Sequence, residues 1–318
     1  MSDTPFVRPD VAAFLAFLNA QEGPKMSEVD AAQAREMMRV MATIAETPVG
    51  DIAVQRDISI PGPAGKIPAR LYDTRESRAA GPVMVFFHGG GFVIGDLDTH
   101  GPYCAEAARH LDIPVISIDY RLAPEHPFPA AAEDCEAAAR WVATSPDELG
   151  MHVTGLVLSG DSAGGNLTIV TTMALRDTPA DVPVILQHPI YPAVSSHDDW
   201  PSMRDFADGY LLTAESMAWF MAAYQPQGDD YRGAPLDFDQ TGMPPSLVTT
   251  ASLDPLRDQG RAYYEKLKAS GVHAEYRSAD GNIHGHITLR QAMPSSNDDI
   301  KGNLDTLKAM LADVMTPA

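Results

Sequence analysis

The sequence predicts a mostly parallel central β-sheet flanked by helices, and two observations carry that expectation. Short apolar runs recur without polar alternation, which is how strands buried on both faces read. Longer helical patterns separate them, and a helix is the usual connection between parallel neighbours. In chain order, "IAVQRDISIPGPAGKIPARLYD" (52–73) reads as two strands joined by a Pro/Gly turn, an antiparallel hairpin leading into the sheet. The runs "VMVFFHG" (83–89), "IPVISIDY" (113–120), "GLVLSGD" (155–161), "VPVILQH" (182–188) and "SLVTTAS" (246–252) are the buried strands. Between them 100–111, 130–144, 163–176 and 258–270 read as helices, the last closed by Gly271, and "GVHAEYRS" (271–278) reads as a further strand.

Two stretches interrupt this alternation. Residues 1–46 carry the helical patterns "VAAFLAFLNA" and "DAAQAREMMRVMATIAE" before any strand, and 190–226 place "DGYLLTAESMAWFMAAYQ" between two sheet strands. Both are expected to form a helical cap over one edge of the sheet, leaving 47–189 and 227–318 as the sheet domain. There is no internal repeat and no low-complexity tract.

Composition narrows the function classes. With 318 residues, 45% hydrophobic and 21% charged, the chain is expected to be a soluble globular protein with a sizeable core. The formal charge of -20, from 43 acidic against 23 basic residues, argues against nucleic acid as a partner, because phosphate backbones are held by clustered Lys and Arg. Cys104 and Cys135 both fall in helical patterns and read as buried free thiols. The first residues lack a basic stretch followed by a long apolar run, and no segment is apolar over a membrane-spanning length. The expectation is a cytoplasmic location with no membrane partner.

The chemistry concentrates in "LVLSGDSAGGNLTIV" (156–170), where an apolar run meets a helical pattern through "GDSAG". A serine between glycines on a strand-to-helix turn is exposed for attack, and the N–H groups of the following helix, beginning at Ala163, favour an oxyanion. Such a serine needs a base, and the base needs a carboxylate to orient it. Downstream, His284 lies in the glycine-containing "DGNIHGH", with His286 as its local competitor, whereas His273 falls in a strand pattern. Asp254 stands just past the end of the run 246–252, where catalytic groups gather in parallel sheets; Asp258 and Asp280 are the alternatives. Upstream, "HGGGFVIGD" (88–96) follows a strand with three glycines whose backbone N–H groups no side chain obstructs. Two of these N–H groups plus that of Ala163 would hold an oxyanion, with His88 fixing the loop by hydrogen bonding.

"HGGGF", "DYRLAPEHPFPAA" (119–131), "GDSAGGN" (160–166), "DPLRDQG" (254–260) and "IHGH" (283–286) occur in the order and spacing of a known family. Over residues 50–315 the chain resembles the bacterial hormone-sensitive-lipase-like esterases, family IV of the α/β-hydrolase fold. The resemblance implies Ser162 as nucleophile, Asp254 as orienting acid and His284 as general base. It also implies Gly90, Gly91 and Ala163 as oxyanion donors, with Gly89 adjoining them. A helical cap whose aromatic side chains shape the pocket is implied as well, with Phe92, Phe206, Tyr210, Trp219 and Phe220 as candidates. The implied substrate is a small-molecule carboxylic ester, and the compact apolar helices of the expected cap, with no long exposed apolar lid, favour a short to medium acyl length. The chemistry needs neither metal nor cofactor, and homodimers, often built through the last sheet strand, are common among such enzymes. A serine peptidase or amidase would use the same groups, and some relatives are ligand-binding receptors that have lost the histidine. The chain departs from the family pattern at Gln259, where relatives carry an acid, and at His286, where they carry Phe. Asp161 is expected to hydrogen-bond the loop 119–131, near Arg121 or His126.

Overall fold

The computed structural model describes residues 5–316. The sheet has eight strands: β1 (Val54–Gly62), β2 (Gly65–Asp73), β3 (Ala80–Phe87), β4 (Val115–Ile118), β5 (His152–Asp161), β6 (Val184–Ile190), β7 (Ser246–Leu253) and β8 (Ala274–Ile283). Their spatial order is β1-β2-β4-β3-β5-β6-β7-β8. The expected hairpin is present, with Ile60 opposite Ile67, and β2 joins β4 antiparallel. From β4 to β8 every pairing is parallel.

Nine α-helices accompany the sheet among the described residues: α1 (Pro9–Asn19), α2 (Ala31–Ala45), α3 (Gly101–Leu111), α4 (Ala130–Ala143), α5 (Ala163–Asp177), α6 (Pro201–Asp205), α7 (Ala214–Tyr224), α8 (Arg257–Ala269) and α9 (Ser296–Met315). The absence of polar alternation in the strands has a direct cause in packing. Val83, Val85 and Phe87 of β3 enter one core with α4 and α5, while Met84 and Phe86 enter another with α3 and α9. Each such side chain contributes about 1.5–3 kcal/mol by leaving water. Cys104 and Cys135 are free and buried in these layers, and burial pushes both thiols above the usual range, which leaves them inert.

The N-terminal segment is tied to the far end of the chain. The Arg8 guanidinium meets the Asp299 carboxylate through two bonds of 2.7 and 2.8 Å, and the Arg8 N–H donates to the Gly281 carbonyl at 3.1 Å. Asp10 accepts from the N–H and hydroxyl of Ser295. Glu46, just past α2, accepts from the Arg290 N–H at 2.9 Å and from its guanidinium at 2.6 Å, with both side chains buried. The same segment meets the stretch after β6: Lys25 and Ser27 both reach Glu215, and the Asn19 amide donates to the Gly209 carbonyl. No helix among the described residues is long and apolar enough to cross a membrane.

Candidate active site

The site forms where β3, β5, β7 and β8 end. Ser162 occupies the turn between β5 and α5 with φ 58° and ψ -116°, a conformation a non-glycine residue adopts only under strain. The glycines around it are required by close approach. A Cβ at Gly160 or Gly164 would collide with the Phe87 carbonyl, and one at Gly165 would crowd Pro192. The turn is held by the Ser162 N–H, which donates to the Ile190 carbonyl at 2.8 Å.

Asp254 follows β7 directly and is fully buried. Its Oδ1 accepts the Leu256 N–H at 2.7 Å, and its Oδ2 accepts from His284 Nδ1 at 2.8 Å. With that proton facing a carboxylate, His284 Nε2 is left to accept from the Ser162 hydroxyl, 2.8 Å away. The structure thus brings Ser162, His284 and Asp254 into one hydrogen-bonded chain. The alternatives lie elsewhere. Asp258 pairs with Arg257 and accepts the Ser202 N–H, Asp280 accepts from the Ser278 hydroxyl, and His273 is exposed before β8.

His286 is buried beside this chain, its Nδ1 bonded to the Ile283 carbonyl at 3.0 Å. Burial lowers its pKa, so it stays neutral near pH 7. Its Nε2 has no partner among the described residues. His286→Phe is therefore expected to keep kcat within about threefold of wild type in a steady-state ester assay, the loss of one hydrogen bond to a carbonyl being worth about 0.5–1.5 kcal/mol of stability. A variant without turnover would shift the base from His284 to His286.

In the glycine loop, a Cβ at Gly90 would strike the Ile94 backbone, and one at Gly91 would strike the Phe220 ring. The Gly90 carbonyl accepts from Val93 and Ile94, which closes the loop into a turn. The N–H groups of Gly90, Gly91 and Ala163 have no acceptor among the described residues. Gly89 differs from the expectation that grouped it with them. Its N–H donates to Asp161 Oδ1 at 2.7 Å and is occupied. His88 bonds the Gly89 carbonyl through Nδ1 at 2.8 Å, and burial lowers its pKa to about 4, so it is a neutral brace.

Asp161 also departs from expectation. It makes no hydrogen bond to 119–131 among the described residues, where Arg121 is taken by Asp134 at 2.9 Å, and meets Gly89, His100 and Tyr191 instead. His100 stands just before α3 rather than inside it, with Nε2 3.2 Å from Asp161 Oδ1.

Tyr191, which the sequence reading did not single out, packs its ring 4.5 Å from that of His284. The departure at Gln259 has a structural role: its amide oxygen accepts the N–H groups of Val194 and Ser195 at 2.7 and 3.1 Å. Of the five pocket candidates, Phe220 lies against Gly91 with Trp219 edge-on to it at 5.3 Å. Phe92 is buried, stacked on Tyr224 at 3.8 Å. Phe206 is buried between Tyr210 and the Arg257 guanidinium, among Val11, Phe14 and Ile283.

A serine on a strand-to-helix turn, hydrogen-bonded to a histidine and through it to an aspartate at the ends of parallel strands, defines a serine hydrolase. The family model for the alpha/beta hydrolase fold matches residues 84–288. The chain is 41% identical over 268 residues to the carboxylic ester hydrolase LipN of Mycobacterium tuberculosis, covering 81% of this chain and 71% of that relative. It is 34% identical to the carboxylesterase NlhH of the same organism, covering 98% and 99% of the two chains. Among solved structures, an ester hydrolase from the metagenome of Lake Arreo, complexed with a bipyridine phosphonate derivative, superposes with a TM-score of 0.91 at 35% identity, covering 96% of this chain and 99% of that one. The chain belongs to the α/β-hydrolase family, among the bacterial hormone-sensitive-lipase-like esterases, and is a carboxylic ester hydrolase.

Proposed function

We propose that Ser162 is the nucleophile, His284 the general base and acid, and Asp254 the group that orients it, acting on small-molecule esters of short to medium acyl length. The observation that carries the assignment is the continuous chain of two 2.8 Å hydrogen bonds from Asp254 through His284 to Ser162. His284 Nε2 takes the Ser162 proton as Oγ bonds to the ester carbonyl carbon. The carbonyl oxygen becomes an oxyanion, which the N–H groups of Gly90, Gly91 and Ala163 receive. The imidazolium, held by Asp254, passes its proton to the departing alkoxide, and the C–O bond breaks to leave an acyl-enzyme and an alcohol. Water then attacks the acyl carbon by the same route and restores the serine.

The preference for short to medium acyl chains is supported by Phe220, whose ring lies directly on the oxyanion loop at Gly91. Residues 1–46, of which 1–4 lie outside the described residues, and 190–226 act together as the cap in this reading, supported by the contacts of Asn19, Lys25 and Ser27 with the insertion. The position of β8 as the last strand of the sheet suits a homodimer, and the two buried free thiols suit the cytoplasm. A panel of p-nitrophenyl esters of increasing acyl length tests the substrate reading. kcat/KM is expected to peak at or below about eight carbons, and a monotonic rise to long chains would overturn it.

A further inference from the structure

Among the buried groups outside the triad, the Asp161 carboxylate has the most unusual setting. It is the last residue of β5, immediately before Ser162, and only 4% exposed. An isolated carboxylate in such a place would cost several kcal/mol, so the groups facing it explain why it is there. Burial opposes its ionisation, yet His100 and the Gly89 N–H hold its pKa below the usual carboxylate range. Oδ1 accepts from the Gly89 N–H at 2.7 Å and lies 3.2 Å from His100 Nε2, while Oδ2 accepts from the Tyr191 hydroxyl at 3.3 Å. His100 is itself buried and oriented by a 3.0 Å bond between Nδ1 and the Thr99 hydroxyl.

The consequence lies in the glycine loop. Gly89 is held at both ends of its peptide groups, through the N–H by Asp161 and through the carbonyl by His88, whose own carbonyl accepts from the Tyr120 hydroxyl at 2.6 Å. Fixing the first glycine sets the direction in which the next two N–H groups are presented. The same carboxylate belongs to the residue directly before Ser162, so it links the nucleophile turn to the oxyanion loop. A ring of Tyr191, bonded to Asp161 and packed on His284, extends that link to the base.

We propose that Asp161 and His100 are a pair of positioning residues for the oxyanion loop, holding the Gly89 peptide so that the Gly90 and Gly91 N–H groups meet the developing oxyanion. This rests on the assignment of Ser162 as nucleophile and of those glycines as donors. Displacing such donors by about an ångström is enough to reduce turnover about a hundredfold.

The test compares Asp161→Leu, which removes the acceptor of the Gly89 N–H, with His100→Leu and His100→Gln on an oxygen ester and on the matching thionoester, whose carbonyl sulfur accepts N–H hydrogen bonds weakly. Asp161→Leu and His100→Leu are expected to lose about 10- to 100-fold in kcat on the oxygen ester with KM within about twofold, and to lose much less on the thionoester. His100→Gln keeps an N–H near the position of Nε2 and is expected to recover most of the loss. Equal losses on both substrates, or wild-type kcat in Asp161→Leu, would overturn the proposal. Should Asp161→Leu fail to fold, the contrast between the two His100 variants decides it in the same way. Ser162→Ala is run beside them: turnover surviving there sinks the nucleophile assignment, a different result from a positioning pair that proves inert.

Discussion

Replacing Ser162 with alanine is expected to lower kcat for ester hydrolysis by about 10⁴- to 10⁶-fold and leave the fold intact. The hydroxyl's one partner among the described residues is His284 Nε2, so its removal takes away the attacking atom and leaves packing unchanged. The turn at φ 58° is built by the approach of Gly160 and Gly164 to the end of β3, and alanine inherits it. Steady-state hydrolysis of a p-nitrophenyl ester, with thermal melts of both proteins, measures the two halves of the expectation. Activity within tenfold of wild type would remove Ser162 from the chemistry.

Glu46→Leu is expected to destabilise the protein by about 3–5 kcal/mol, because it strands the Arg290 guanidinium in a buried site. That is a large part of the 5–15 kcal/mol that holds an ordinary domain together. The effect reaches the site, since Arg290 lies six residues beyond His284 and its backbone N–H is also held by Glu46. Urea unfolding checks the stability, and kcat under conditions where the variant is folded checks the reach. Adding Arg290→Met to Glu46→Leu is expected to restore most of the stability, because replacing a whole buried ion pair by apolar side chains is close to neutral. A double variant as unstable as the single one would mean that the backbone contacts, rather than the pair, hold the junction.

The buried strands were legible because burial on both faces leaves a local mark, an unbroken apolar run. The strand-to-helix turn at Ser162 was legible because close backbone approach admits only small residues, and that too is local. The partners of Asp161 were not. It lies 72 residues from Gly89 and 61 from His100, and no local pattern distinguishes a carboxylate that pairs with those groups from one directed at Arg121. Gly89 was grouped with the oxyanion donors for the same reason, since a glycine run does not say which of its N–H groups is already taken. The final helix carried a readable signal, with Ile300, Leu304, Leu307 and Leu311 buried at helical spacing. Tyr191 reaches His284 through a positive φ of 32° after β6, a departure that nothing in "HPIYP" announces.

The bonds from Arg8 to Asp299 join residues 291 positions apart. A ribosome adding about 5–20 residues per second needs roughly 15–60 s to cover that distance. For most of that interval Val11, Phe14 and Leu15 have been synthesised but Ile283, Leu289 and Met293, with which they pack, have not. The helix α1 therefore emerges with an oily face and waits while most of those 291 residues are added. A nascent chain in this state is a natural client for a chaperone, and the first helix is among the last parts of the enzyme to find its place.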